Sequence, residues 1–245
     1  VFRSSRALLL RVRELGEADL GLSFFTEEAG LVAVVGKSAR RSRKRFGGIL
    51  QRYLLLHIHW TERPGRAGVL EQAAVAESFW PIASDWERVR HADELLDLAA
   101  TLFPQPGPKP VAFRALVAGL GEIAAGRAPG AAACRARAAL LAAAGWGPDL
   151  SGCRFCGMPE AGSFRFDVPA GRIACGACAP EGMPLSAGAV KTWRALQGAA
   201  PGALSRVRIG DRIVAELQDV MARYIEWHIT SSSRSARGRG GPAGS

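Results

Sequence analysis

Through the first 80 residues the apolar positions fall into short runs cut by turn signals. RALLLRVR (6–13), LGLSFFT (20–26), GLVAVVG (30–36), ILQRYLLLHIHW (49–60) and GVLEQAAVAESF (68–79) are rich in leucine, β-branched or aromatic residues. Runs of this length and composition predict strands, and five strands in about 80 residues suit a small closed barrel of the OB type.

After Trp80-Pro81 the period changes. Ser84-Asp85-Trp86-Glu87 has the form of a capping box, and Val89, Ala92, Leu95, Leu96, Ala99 and Leu102 follow at helical spacing. PQPGPKP (104–110) breaks that helix. A second helix is predicted to bury Phe113, Leu116, Val117, Leu120 and Ile123, and a third to run through the alanine-rich stretch 131–144 before Gly145. Helices resume after Ser186, carrying Val190 and Trp193, and over 211–229, with Ile213, Leu217, Val220, Met221 and Tyr224 along one side. From Ser231 onward Ser, Arg and Gly cannot supply a core, which predicts disorder. The fold class expected is α+β with several domains. An OB barrel covers 1–80, a helical domain comes in two parts (81–150 and 184–230), a cysteine-bearing insertion spans 151–183, and a basic tail covers 231–245.

Charge adds a location to this outline. The chain of 245 residues carries a formal +10, of which GKSARRSRKRFGG (36–48) holds +6 and the tail +3, leaving +1 for everything else. Between Ala29 and Thr61 there is no Asp or Glu. Lys37, Arg40, Arg41, Arg43, Lys44 and Arg45 therefore form a concentrated patch, placed by the strand pattern in an exposed connection between the third and fourth strands. Six cations in nine residues repel one another until phosphates neutralise them, so a polyanion is the expected partner, nucleic acid before an anionic membrane surface. No apolar run approaches the roughly 18–20 residues of a spanning helix, and ALLL (7–10) is too short for a signal h-region, so a cytoplasmic location is expected.

In that compartment five cysteines point to metal or free thiols more than to disulfides. CRFC (Cys153, Cys156) and CGAC (Cys175, Cys178), separated by 18 residues, have the spacing of a four-cysteine zinc site, which fits better than an iron–sulfur cluster or redox thiols. Gly157 and Gly176 suit the tight turns, and SFRFDVPAGRIA (163–174) reads as a hairpin carrying the second pair. Four thiolates leave the metal no open position, so the zinc is expected to be structural. A zinc deaminase needs H-x-E upstream of P-C-x-x-C, and no H-x-E occurs. Cys134, among alanines, reads as a small buried residue.

The pair His57 and His59 reads as structural, because His91 and His228 lack ligand-like spacing. Trp60 and Trp193 fall on apolar faces. No G-x-S-x-G, P-loop or G-x-G-x-x-G motif is present, and no catalytic residues are expected. A carboxylate-dependent nuclease and an RNA-binding OB protein with a zinc ribbon stand as alternatives.

The order of parts resembles the RecO family of bacterial recombination mediators. LGEADLGLSFFTEEAGLVAVVGKSAR (15–40) is similar to the family's opening, with its G-E-A-D turn, L-F-T-x-E-x-G segment and K-G-A-R element. GGILQ (47–51), Glu77-Ser78-Phe79, the late CxxC pairs and YIEWH (224–228) match as well. Where family members commonly have Pro-Phe after GG-x-L-Q, this chain has Arg52-Tyr53, adding a cation that joins the candidate DNA contacts. Some members lack the cysteines, which implies that the zinc supports local fold. The resemblance implies binding of single- and double-stranded DNA, annealing of complementary strands, association with RecR, and help in placing RecA on strands covered by SSB, whose acidic tail is one route of contact. It also implies a nucleoid-associated, non-enzymatic protein.

Overall fold

The computed structural model describes residues 1–42, 45–63, 65–199 and 201–238. The chain divides into two compact units, Val1–Ala144 and Gly145–Ser245.

The first unit opens with strands β1 (Phe2–Leu15), β2 (Asp19–Thr26), β3 (Gly30–Gly36), β4 (Leu54–Arg63) and β5 (Arg66–Ser78). They close into a barrel in the order β1-β2-β3-β5-β4. Every pairing is antiparallel except β3 with β5, which is parallel and two residue pairs long. This is the OB arrangement expected from the strand pattern. Alternation puts Leu22, Phe24, Leu56, Ile58, Trp60 and Leu70 inside, each no more than 2% exposed. A bulge between Leu9 and Arg11 bends β1, and β1 extends further at both ends than the apolar run suggests, because its outer residues are hydrogen-bonded to β2 and β4 without being buried. β4 begins only at Leu54: the segment before it is turn, with Tyr53 at φ 65°.

Helices α1 (Trp86–Leu102), α2 (Pro110–Ala125) and α3 (Pro129–Ala143) follow. The α1 cap is Asp85, whose side chain accepts from the Arg88 amide at 2.9 Å, so the start lies one residue after the Ser84 box, a 3-10 turn occupying Trp80–Ser84. Ala92, Leu95, Leu96 and Ala99 are buried on α1, and Phe113, Leu116, Leu120 and Ile123 on α2. The alanines of α3 allow it to pack against both; at the α2–α3 crossing a Cβ on Gly119 would sit 2.6 Å from that of Ala136.

The second unit holds a three-stranded sheet of β6 (Ser163–Asp167), β7 (Arg172–Cys175) and β8 (Met183–Ser186) in the order β7-β6-β8, then α4 (Ala187–Gly198) and α5 (Asp211–Gly238). Its core is aromatic: Phe166 packs on Trp193 at 5.5 Å and edge-on to Tyr224 at 5.5 Å. Leu217, Val220, Met221 and Tyr224 form the buried side of α5, as the periodicity predicts. The backbone of α5 stays helical to Gly238, past the disorder boundary expected at Ser231; without a core to build, Ser and Arg still continue an existing helix at small cost. Residues 239–245 lie outside the described residues. No helix among the described residues is long and apolar enough to cross a membrane.

Candidate nucleic-acid interface and metal centre

The basic stretch lies between β3 and β4, but it is not a free connection. Ala39 and Phe46, the apolar residues that interrupt the cations, are buried in the barrel core cluster at 8% and 2% exposure. They hold the segment down at two points, turning it into a shelf on the barrel rim. The first turn is fixed by Asp19 at the start of β2: its carboxylate accepts from Lys37 Nζ at 2.6 Å and from the Ser38 amide at 2.8 Å. The Lys37 hydrogen bond, then the Ser38 amide, hold the Asp19 carboxyl below the ordinary carboxylate range. The Arg40 amide donates to Ala18 O at 3.1 Å, and Arg45 donates to Lys37 O at 2.6 Å while lying 5.1 Å over the Phe46 ring. Arg40, Arg41, Ser42, Gly47 and Gly48 line an open groove of about 610 Å³. Gly47 and Gly48 take positive φ there, 44° and 79°.

Acids absent from the neighbouring sequence arrive through space. The β1–β2 hairpin sets Glu14 3.3 Å from Arg40 and Glu17 3.4 Å from Arg41. Glu14 is 68% exposed and Glu17 91%, so each pair contributes roughly 0–1 kcal/mol and is open to exchange for a phosphate. The sequence signal was present in the Gly16-Glu17-Ala18-Asp19 turn, but only the strand register shows which cations it meets. Arg43 and Lys44 lie outside the described residues.

Arg52 stands apart from this group. Its guanidinium donates to Asp93 at 2.7 Å and to Leu10 O at 2.9 Å, and lies 3.4 Å from Asp97. Tyr53 donates its hydroxyl to the same Asp93 oxygen at 2.7 Å. Burial is the largest single influence and works against the Arg52 charge, but the Asp93 hydrogen bond together with the charges of Asp93 and Asp97 outweighs it and leaves the guanidinium more firmly protonated than usual. Arg52-Tyr53 thus latches α1 to the β1 bulge. Replacing Asp93 with Ala strands both donors and is expected to lower stability by about 1–3 kcal/mol in a denaturant melt, with DNA affinity unchanged within about twofold.

The four late cysteines converge. All four Sγ atoms lie within 4.8 Å of one another, and Cys156 and Cys175 are 3.8 Å apart. A tetrahedron with metal–sulfur bonds of about 2.3 Å has edges of about 3.8 Å, so the thiols stand close to where four ligands of one ion belong. The β6–β7 hairpin delivers Cys175 at the end of β7, and the first turn closes through the Gly157 amide to Cys153 O at 2.8 Å. Gly157 has φ 72°, as a knuckle turn requires; Gly176 does not take positive φ, and a Cβ there would lie 3.1 Å from Ser163 Oγ. The Cys156 amide, helped by those of Cys175 and Phe155, draws the Cys153 thiol down to about 6, whereas hydrogen bonds to the Cys175 and Cys156 thiols push Cys178 up to about 12. Cys153 thus leans toward the thiolate and Cys178 toward the thiol, and a bound cation would favour the thiolate at both. Cys153 and Cys175 are buried, Cys156 and Cys178 exposed. Cys134, in the other unit, is fully buried, and burial pushes its thiol up to about 11.

Among the described residues these cysteines are the one grouping of three or more His, Cys, Asp or Glu that could hold a metal. His57 and His59 gather no third ligand among the described residues.

A closed OB barrel with a basic rim, followed by helices and a four-thiol knuckle, defines the class: a multidomain OB-barrel protein with a metal-binding module. The family model for the N-terminal part of recombination protein O matches residues 2–79, and that for its C-terminal part matches 83–237. The chain belongs to the RecO family, whose role is DNA repair and recombination. It is 33% identical over 228 residues to the DNA repair protein RecO of Anaeromyxobacter dehalogenans strain 2CP-C, covering 91% of this chain and 89% of that one. To the proteins of the same name from Bifidobacterium adolescentis and Thermobifida fusca it is 30% identical, covering 94% of this chain and 96% and 95% of theirs.

Proposed function

We propose that this protein is a cytoplasmic, nucleoid-associated recombination mediator. It binds single- and double-stranded DNA, anneals complementary strands and, with RecR, helps load RecA onto DNA covered by SSB. The observation that carries the reading is the shelf of Lys37, Arg40, Arg41 and Arg45, anchored by Ala39 and Phe46 beside the hairpin acids.

Annealing demands little chemistry of a protein. Two phosphate chains repel, and a surface that neutralises both lets their bases find register. The shelf suits this task because its cations are presented on a fixed base, while the mostly exposed acid partners of Arg40 and Arg41 give way to phosphate without leaving a buried charge behind. Contacts to phosphate position a strand without reading its bases, so binding with little sequence preference follows. Arg43 and Lys44 belong to the same segment and join the contact set; Arg52 we assign to the latch. The knuckle would hold one Zn2+ through Cys153, Cys156, Cys175 and Cys178, a closed site with a structural role.

The test is annealing of complementary strands coated with SSB, with and without RecR. The mediator reading expects the protein to accelerate annealing of naked strands on its own and of coated strands more strongly with RecR. No acceleration in either setting, or cleavage of the strands in Mg2+, overturns it.

A further inference from the structure

We propose that the exposed ring strip Phe2, His59 and His57, on the outer face of β1 and β4, is a stacking platform for unpaired bases of single-stranded DNA. The proposal rests on the mediator reading and adds to it a second surface that tells single strands from duplex.

The β1–β4 register sets Phe2 opposite Thr61, Ser4 opposite His59 and Arg6 opposite His57. Opposed residues share a face, and the alternate positions Leu56, Ile58 and Trp60 point into the core, so these six side chains lie on the outside of the barrel. On that face Phe2 stacks on His59 with centroids 5.7 Å apart and planes at 24°, and His59 stacks on His57 at 6.3 Å and 27°. Phe2 is 64% exposed and His57 is exposed as well. Cross-strand ring pairs stabilise a sheet modestly, but a phenylalanine mostly in water contributes little to the core. Across β4, the facing residues of β5 are Gln72 and Ala74, short or polar and both exposed, so they add no competing ring. A base placed at the Phe2 or the His57 end continues the stack, and any base will serve, because each has a π face.

The strip is electrically quiet. Arg6 pairs with Glu27 at 2.8 Å and Arg3 with Glu62 at 3.4 Å. Its contribution therefore comes from stacking and not from counterion release, the reverse of the shelf. The two surfaces lie toward opposite ends of one strand, on either side of its buried middle, Ala7–Leu10. Further along β1, Arg11 and Arg13 are exposed and make no ion pair among the described residues, and β1 ends in the hairpin whose Glu14 meets Arg40. At about 3.3 Å per residue its 14 residues span roughly 45 Å, with the rings toward one end, a buried stretch over Ala7–Leu10 in the middle, and the cations and the shelf at the other end. Duplex bases are already stacked and paired, so duplex engages the charged end and not the rings.

The experiment uses the full chain with Phe2→Leu, His57→Ser and His59→Ser together, and a second variant with Tyr at all three positions. Each is titrated with oligo(dT) and with a duplex of equal length across a salt series. The expected result is oligo(dT) binding weakened about tenfold or more, duplex binding within about twofold of the parent, and an unaltered salt slope, while the tyrosine variant stays close to the parent. Unchanged oligo(dT) affinity, equal loss on both DNAs by a variant that melts like the parent, or a tyrosine variant as weak as the serine one overturns the platform. If the triple variant melts early, ultraviolet cross-linking of the unaltered chain to oligo(dT) decides: adducts on peptides containing Phe2, His57 or His59 support the platform, and adducts only elsewhere refute it. An unaltered chain that binds neither DNA at any salt refutes the mediator reading itself, which is a different outcome from a binding chain indifferent to its rings.

Discussion

Replacing Arg40, Arg41, Arg43, Lys44 and Arg45 with alanine will weaken binding to single strands and duplex alike, by up to about 10³-fold near 0.1 M salt, and the loss will shrink as salt rises. The magnitude follows from counterion release. Five cations that each meet one phosphate make the log–log salt slope shallower by about 3.5 on single strands and about 4.5 on duplex. The variant keeps Ala39 and Phe46, which fasten the segment to the barrel core, so its melting transition will stay near that of the parent. It also leaves Glu14 and Glu17 without their cations, adding repulsion to the lost attraction. The converse change sharpens the test: Glu14→Gln with Glu17→Gln removes two competitors for Arg40 and Arg41 and will tighten binding several-fold at low salt. Filter binding or fluorescence anisotropy from 50 to 300 mM salt reads both variants. An unchanged slope in the alanine variant would remove the shelf from the interface, whatever the affinity.

How far the sequence disclosed this interface depends on which interactions are local. Strand positions, the order of parts and the cysteine spacing are written in nearest-neighbour patterns and motif distances, and the barrel and the converging thiols followed from them. The state of the basic segment was not. Phe46 looks like one apolar residue in a cationic run, and only closure of the barrel gives it a core to enter. Asp19, Glu14 and Glu17 are 18, 26 and 24 residues from Lys37, Arg40 and Arg41, and register brings them there. Arg52 looks like one more unpaired cation in the sequence because its partners, Asp93 and Asp97, lie on a helix 41 and 45 residues away. Charge counted along a sequence therefore overstates what is free for a partner: Arg52 is held at once by Asp93, Asp97 and Leu10 O, whereas Arg40 and Arg41 each face a mostly exposed acid. Arg40 and Arg41 are therefore more readily released to a polyanion than Arg52.

The knuckle divides stability from binding in the same way. Untreated protein will carry one zinc per chain by metal analysis, and Cys175→Ser will lose it. Structural zinc contributes about 10–16 kcal/mol of apparent binding energy in small zinc domains, far more than one hydrogen-bond network supplies, so its removal will leave the β6–β7 hairpin without its tie to the first cysteine turn. Limited proteolysis is then expected to cut within 145–198 while the barrel with α1–α3 survives, because the cysteines and the barrel belong to different compact units. DNA affinity of the shelf will change little by comparison. The metal equilibrium has a definite pH sign. The metal-free cluster retains protons, with the Cys178 thiol at about 12, and zinc displaces them, so uptake releases protons and affinity falls as pH falls. Backbone amides hold the Cys153 thiol at about 6, which favours the thiolate form that a metal ligand takes. Chain purified without chelator that contains no zinc, with all four thiols titratable in the folded state, would overturn the assignment. A Cys175→Ser chain that resists protease like the parent would instead show that the aromatic core of Phe166, Trp193 and Tyr224 holds the second unit without metal.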